Sequence, residues 1–456
     1  MRWRGRGDAI LREMAETRRV SQAACRELLR LSGAPAPLWQ DGGQRVCVAL
    51  SGGVDSTMTA LLLQGAGHEV SDAVFMQNWD PADESDVNAR QCPIEQEWRD
   101  AQLVAEHLGL PSLRRVEYVS EYWQRVFEPF LEQLELGVCT PNPDVLCNRE
   151  IKFDTFMQDA LGGGADFVAT GHYARTVATP SGSTLGAGDD RCKDQSYFLA
   201  MNRPKCWERT VFPMGALSKE AVRECVEALG LGFVMEKRSS RGICFIGKRR
   251  FSDFASGYID TAQRRGPVLC GDTGEQLSEH AGLALTTIGQ RVSVHDLPCR
   301  YYAAKKIGGD VNAIVAVKNP QHPLMFAQEV HVAHVVWQVT QLQPTAQSPP
   351  LGSKFMARAK FRYNEFGTPV ECTVDSPGSL VVRVTGDGAH AVTPGQVCSL
   401  YVDIDTLERL SCDTNVALDG GNDVRGVDEF DVCVAGGIIA RTLRDGQILN
   451  DAGFLE

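Results

Sequence analysis

Arg45-Val-Cys-Val-Ala-Leu-Ser-Gly-Gly-Val-Asp-Ser56 decides the fold. The run Arg45 to Leu50 is apolar without polar alternation, as in a strand buried on both faces of a parallel sheet. Ser51 to Ser56 then breaks the strand and opens a helix read over Thr57 to Gly65. Glycines at a strand-to-helix turn let the backbone approach an anion, and the free N–H groups of the helix start point at it. Ser51 and Ser56 add hydroxyl donors. The turn lacks the lysine of a Walker loop. Asp55 in its place suits a pyrophosphate leaving group with Mg²⁺, held in part by that carboxylate.

Working outward, strands are read at Val70 to Met76, Leu113 to Val119 and Phe167 to Thr170. Helices are read at Glu95 to Gly109 and Tyr122 to Leu136. Alternating strands and helices predict an α/β, doubly wound parallel sheet. Beyond about residue 250 the texture turns to short β-branched runs. They are Ala313 to Val317, Glu329 to Val336, Lys354 to Phe361, Glu371 to Val374, Leu380 to Val384 and Cys398 to Val402. These predict a barrel or sandwich. The expected division is an N-terminal extension (1–43), a loop-bearing α/β domain (44–250), a small central domain (251–325) and a C-terminal β-barrel (326–456).

The 456 residues are 43% hydrophobic and 23% charged, which excludes a disordered chain or a disulfide mini-protein. No apolar run reaches the length of a membrane helix, so no membrane partner is expected. The net charge of −12 argues mildly against nucleic acid, although a local basic stripe can sit on an acidic body. The 15 scattered cysteines read as reduced thiols. No Cys-x-x-Cys spacing occurs, so no motif supports an iron–sulfur cluster, while one built from distant cysteines such as Cys147 and Cys244 plus a third stays open. Residues 1–40 hold eight arginines, no lysine and four acids (Asp8, Glu13, Glu16, Glu27). With Ile10, Leu11, Met14, Leu28 and Leu29 they give a partly helical pattern. It is open to two readings, a solvated helix or a mitochondrial presequence.

Two further stretches carry chemistry. Thr140-Pro-Asn-Pro-Asp-Val-Leu-Cys-Asn-Arg-Glu-Ile-Lys-Phe153 is a stiff turn presenting Asn142, Asp144 and Cys147 beside Arg149 and Lys152. In Gly242-Ile-Cys-Phe-Ile-Gly247, Cys244 is flanked by Lys237, Arg238, Arg241 and Lys248-Arg-Arg250. Nearby cations favour the thiolate, the nucleophilic form. Alone, either cysteine would read as a buried structural thiol.

Together these motifs resemble the tRNA-specific 2-thiouridylases, bacterial and mitochondrial, within the N-type ATP pyrophosphatases (PP-loop enzymes). The resemblance runs from about Val46 to Arg441. It also takes in Phe75-Met-Gln-Asn-Trp79, Ala169-Thr-Gly-His-Tyr173, Lys193-Asp-Gln-Ser-Tyr-Phe-Leu199, Gly289-Gln-Arg291, Arg362-Tyr363, Thr393-Pro-Gly-Gln396 and Gly436-Gly-Ile-Ile439. It implies ATP-dependent adenylation of the wobble uridine 2-carbonyl, then sulfur delivery from a persulfide, with AMP leaving. By this resemblance Cys244 carries the persulfide and Cys147 resolves it through a transient disulfide, while Asp144 assists as acid or base. Asn142, Pro143 and Asp144 face the target base. Ala49, Leu50, Ser51, Gly52, Gly53, Val54, Asp55, Ser56, Met76 and Gly171 bind the adenylate. Lys193, Asp194, Gln195, Arg362 and Tyr363 contact tRNA.

The implied cofactors are ATP and Mg²⁺. The implied partners are the anticodon stem-loop of wobble-uridine tRNAs, such as those for Lys, Glu and Gln, and an upstream persulfide donor protein. The location is mitochondrial by the extension, otherwise cytoplasmic. Basic clusters at Arg264-Arg265, Lys305-Lys306 and Arg358 to Arg362 supply a candidate phosphate-tracking stripe, with Lys305-Lys306 readable as a mere surface pair. The sequence departs from the family in the extension, in a short Val292 to Tyr302 segment, in Ser240-Arg241 before Gly-Ile-Cys, and in an Asp/Gly/Asn-rich insertion at 410–430. The main alternative is an amidoligase-type PP-loop synthetase acting on a small carboxylate, which needs neither cysteine nor RNA.

Overall fold

The computed structural model describes residues 5–80, 94–179, 182–235, 250–260, 265–294, 299–338, 349–365, 367–404, 406–407 and 432–453. Its first sheet has five strands in the order β3-β2-β1-β4-β7. They are β1 (Arg45–Ala49), β2 (Glu69–Gln77), β3 (Leu113–Glu117), β4 (Phe167–Ala169) and β7 (Thr210–Val211). Every pairing is parallel. The chain winds outward from β1 through β2 to β3, then reverses to β4 and β7. The strand order therefore switches between β1 and β4, where open α/β sheets form a crevice at the strand C-termini.

β1 shows how the two faces are filled. Val46, Val48 and Leu50 join one apolar cluster, while Cys47 and Ala49 join the other. That is the period of two expected of a strand covered on both sides. The first face is covered by five helices. These are α1 (Arg6–Thr17), α2 (Gln22–Leu31), α4 (Val54–Gly65), α5 (Ile94–His107) and α11 (Lys219–Ala228). Leu11, Leu28 and Leu29 are fully buried there. The arginine-rich start is thus more than a solvated helix: residues 6–40 are part of the core of the α/β domain. The short α3 (Pro37–Gln40) closes this layer.

The opposite face carries α6 (Val119–Tyr122) and α7 (Glu128–Glu135), joined by a π-helical turn at Trp123–Phe127. α8 (Pro143–Leu146) runs through a second π-helical stretch, Cys147–Thr155, into α9 (Phe156–Gly162). The hairpin β5 (Ala174–Thr179) and β6 (Gly182–Ala187) leaves this domain and pairs with the C-terminal sheet through Gly186 and Val432. The β texture therefore begins before residue 250, earlier than expected.

A separate five-stranded sheet lies between Gly266 and Val317. Beyond it six antiparallel strands close on themselves: Glu329–Trp337, Ser379–Val384, Thr368–Ser376, Lys354–Lys360, Val397–Val402 and Val432–Arg444. The last strand pairs back with the first, which removes the free edges. The barrel and the α/β domain meet around α10 (Ser196–Leu199).

Candidate active site

The Ser51 to Ser56 loop lies at the C-terminal end of β1, beside the switch point. Gly52 has φ +73, and a Cβ there would lie 2.6 Å from the backbone nitrogen of Ala101. Only glycine allows the loop to turn under α5. Ser56 Oγ donates to Gly53 O at 3.0 Å and accepts from Ser51 N at 3.2 Å. The first intrahelical bond of α4 runs from Thr57 N to Gly53 O, which leaves the amides of Val54, Asp55 and Ser56 without intrahelical partners. This is an anion-binding helix start.

The other positions expected to bind adenylate sit on the same edge. Ala49 pairs with Val74, so Met76 projects at the C-terminal end of β2, half-buried against the second core. Gly171 follows β4, and a Cβ there would lie 3.0 Å from the backbone of Asp55 and Ser56. Residues from β1, β2 and β4 thus converge on one crevice.

Asp55 is engaged from two directions. Tyr173 OH donates to its Oδ1 at 2.8 Å, and Lys219 Nζ bonds both oxygens at 2.7 Å. Burial and the adjoining carboxylate push the Tyr173 hydroxyl far up, so it stays a donor. Among the described residues no group of three or more His, Cys, Asp or Glu side chains could hold a metal ion. Asp55 would suit Mg²⁺ only as one carboxylate, with substrate phosphates to supply the remaining oxygens.

Asn142 caps the second stretch: its Oδ1 accepts from Asp144 N at 3.1 Å, with Pro143 at the first helical position. Cys147 follows, 6% exposed, at the start of the π-helical stretch. Such wide turns recur at functional sites. Asn78, from the Phe75 to Trp79 motif, donates Nδ2–H to Cys147 Sγ at 3.9 Å. The end of β2 therefore brings the nucleotide crevice and this cysteine together. Burial raises the Asp144 carboxyl above the ordinary range, with Lys152 opposing it. Burial, then Lys152, drives His172 well below the usual imidazole value, so it is neutral at pH 7. Lys152 Nζ lies 3.5 Å from His172 Nε2, and His172 Nδ1 lies 2.7 Å from Thr170 Oγ1. The ammonium has only donors, so Nε2 accepts and Nδ1–H donates. Elsewhere burial pushes the thiols of Cys25 and Cys47 up to about 12, which leaves them protonated and inert.

Cys244 and its cations Lys237, Arg238, Arg241, Lys248 and Arg249 lie outside the described residues, as do Arg264 and the insertion at 410–430. Arg250 and Arg265 are described and exposed.

The segment holding Cys147 is fixed by the other two sheets. Gln396 Nε2 donates to Thr140 O at 2.6 Å, and Thr140 N donates to Pro394 O at 2.8 Å. Gly395 has φ +88, and a Cβ there would lie 2.8 Å from Thr140 N. Gly395 N in turn donates to Ile439 O. The Thr393 to Gln396 and Gly436 to Ile439 motifs thus work as a clamp. Lys306 is no surface residue. It is 4% exposed, and its Nζ donates to Gly137 O at 3.0 Å.

The expected tRNA-contacting residues assemble at one place. Tyr363 OH donates to Lys193 O at 3.3 Å, and its ring lies 4.6 Å from that of Phe198. Arg362 donates to Ile288 O and to Ala391 O. Lys193 is exposed and Gln195 half-buried, its Oε1 accepting from Tyr173 N. Asp194 is 1% exposed and bonded to Gly188 N, Ser196 and Lys360 Nζ. Its place is inside the domain junction, where it sets the position of Lys193 and Gln195. Lys219 lies outside every motif read from the sequence, and Asn78 and Tyr173 lie inside two of them with no role of their own, since each contacts a distant partner.

Comparison with known proteins bears on the family. A family profile described as "tRNA methyl transferase HUP domain" matches residues 44–248. The tRNA-specific 2-thiouridylase of Francisella tularensis subsp. novicida (strain U112) is 39% identical over 368 residues, 79% of this chain and 96% of that protein. The chain belongs to the tRNA-specific 2-thiouridylase family. The U34-tRNA thiolase of Methanococcus maripaludis is 15% identical, covering 52% of this chain and 70% of that one with a TM-score of 0.31, too remote to bear on function. The family model spans both the crevice at β1 and β4 and Cys147. The profile matches from residue 44 onward, so the buried helices α1 and α2 lie outside it.

Proposed function

We propose that this protein is an ATP-dependent tRNA 2-thiouridylase. The observation that carries the reading is the Asn78–Cys147 contact, which sets a candidate nucleophile at the rim of a pyrophosphate-binding crevice. An amidoligase has no use for that cysteine. Methyl transfer, the chemistry in the profile's description, has no use for a pyrophosphate loop.

A uridine carbonyl is a poor electrophile. Attack of its O2 on the α-phosphorus of ATP breaks the Pα–O bond, releases pyrophosphate and makes O2 part of a good leaving group. The terminal sulfur of a Cys244 persulfide then attacks C2, and AMP departs. Cys147 thiolate attacks Cys244 Sγ, the sulfur–sulfur bond breaks, and 2-thiouridine is released as a Cys147–Cys244 disulfide forms. An external thiol reductant resets the pair. In this reading Asp144 carries a proton near the base, and its raised carboxyl supports that role. The base reaches the pocket from a single-stranded anticodon loop, where leaving the stack costs least.

The finer assignments are also proposals: Mg²⁺ beside Asp55, wobble-uridine tRNAs for Lys, Glu and Gln, and a persulfide donor protein. We propose a mitochondrial location from the arginine-rich start, with the requirement that processing spare the buried α1–α2 pair. Incubation of the full chain with wobble-uridine tRNA, ATP, Mg²⁺, a persulfide donor and a thiol reductant, followed by nucleoside mass spectrometry, tests the reading. Formation of 2-thiouridine with equimolar AMP supports it. AMP formation without thionucleoside, or independent of tRNA, overturns it in favour of the ligase.

A further inference from the structure

The phosphate loop carries no cation of its own sequence, yet it must hold a pyrophosphate that leaves with several negative charges. The structure places one there from 164 residues away. Lys219 opens α11, where Ser218 Oγ caps the helix by accepting from Ala221 N at 3.2 Å. Asp8 of α1 accepts from Ser218 N at 2.8 Å, and Asp190 accepts from Lys219 N at 3.0 Å. The backbone of residues 218–219 is therefore held from both sides. The side chain reaches across Tyr173, 5.9 Å from its ring, to Asp55 in the first turn of α4.

We propose that Lys219 is the charge-bearing residue of the phosphate site, turning from Asp55 to the pyrophosphate as it departs. The proposal rests on the nucleotide reading above and deepens it. Both side chains of the pair keep partial solvent access, 21% for Lys219 and 32% for Asp55, so the ammonium can exchange partners without opening the core. The incoming partner stands at the same helix start, so the movement is a side-chain rotation. In the resting state the pair stores the cation within reach and balances Asp55. When O2 of the uridine attacks and the Pα–O bond breaks, the electron pair stays on the departing oxygen. Lys219 N–H donates to the pyrophosphate so formed, and no proton need move. A lysine suits this work because its ammonium is a compact point charge on a flexible stem.

The test is calorimetric titration of the full chain with inorganic pyrophosphate and, separately, with AMP, each in the presence of magnesium chloride. AMP lacks the departing phosphates. Loss of a charge-assisted hydrogen bond predicts that Lys219→Met weakens pyrophosphate by about tenfold or more, with AMP unchanged within about twofold. Lys219→Arg, which keeps the charge, should stay within about threefold of wild type for both ligands. Lys219→Gln keeps the packing if the methionine variant fails to fold, and the Arg–Gln difference then decides. Unchanged pyrophosphate affinity in a folded Met or Gln variant overturns the proposal. Equal weakening of AMP overturns it too, because it marks a general loss of the loop. If wild type binds neither ligand, the nucleotide reading itself falls, and with it this one.

Discussion

Lys360→Met is the sharpest perturbation of the junction between the α/β domain and the barrel. Lys360 Nζ lies 2.5 Å from Asp194 Oδ2, with side chains 5% and 0% exposed. The carboxylate also accepts from Gly188 N at 2.9 Å, Ser196 N at 3.1 Å and Ser196 Oγ at 3.0 Å, and Ser196 Oγ lies 2.8 Å from Tyr401 OH. Methionine fills nearly the same volume, so the packing term is small. What is lost is the countercharge, and an uncompensated buried carboxylate costs about 3–5 kcal/mol. The three remaining donors place the loss toward the lower figure. At roughly 2–4 °C per kcal/mol for a unit of this size, the barrel's melting step should fall by about 6–20 °C. Melting followed by near-ultraviolet circular dichroism reads it, with Asp194→Asn and the double variant completing a cycle. The double variant removes both charges and should recover a large part of the loss. A Lys360→Met variant within about 1 kcal/mol of wild type, or a double variant less stable than both singles, would refute the argument.

Three other outcomes follow from the same geometry. Deleting residues 1–40 strips α1 and α2 from the first core and should leave an insoluble or molten α/β domain, while Leu28→Ala alone costs about 2–5 kcal/mol in urea unfolding. Burial lowers the Lys306 pKa to about 8, below its unfolded value, so the unfolded state binds more protons between those values. Stability contributed by this group should then rise with pH from about 8 to about 10.4, by no more than about 3 kcal/mol, and Lys306→Met should flatten that rise in denaturant titrations. Gly395→Ala drives a Cβ toward Thr140 N at a left-handed position, so thiolation should drop sharply while the melting of the α/β domain stays near wild type. A fully active Gly395→Ala variant counts against the clamp.

What the sequence made legible follows from how far each feature's cause lies along the chain. β1 is readable because its cause is local: covered on both faces, it needs an unbroken apolar run, and Val46 to Leu50 provides one. The phosphate loop is readable for the same reason, since glycine, strand end and helix start occupy one string. The hairpin β5–β6 escaped notice because its Thr/Gly-rich strands look like loop, and one of its neighbours, Val432, lies 246 residues beyond Gly186. Charge misleads in a similar way. Lys306 and Asp194 read as exposed because isolated charges usually are, and their burial shows only once Gly137 and Lys360 are brought opposite them. The lysine missing from the loop belongs to the same class. Its absence from Ser51 to Ser56 suggested a metal alone, whereas the fold supplies Lys219 through a helix start tied to Asp8, in a segment outside the family match. The extension therefore reaches the Ser51 to Ser56 loop through two contacts, Asp8 to Ser218 and Lys219 to Asp55, that no local pattern records. Its loss should weaken pyrophosphate binding even in truncated variants stable enough to be assayed.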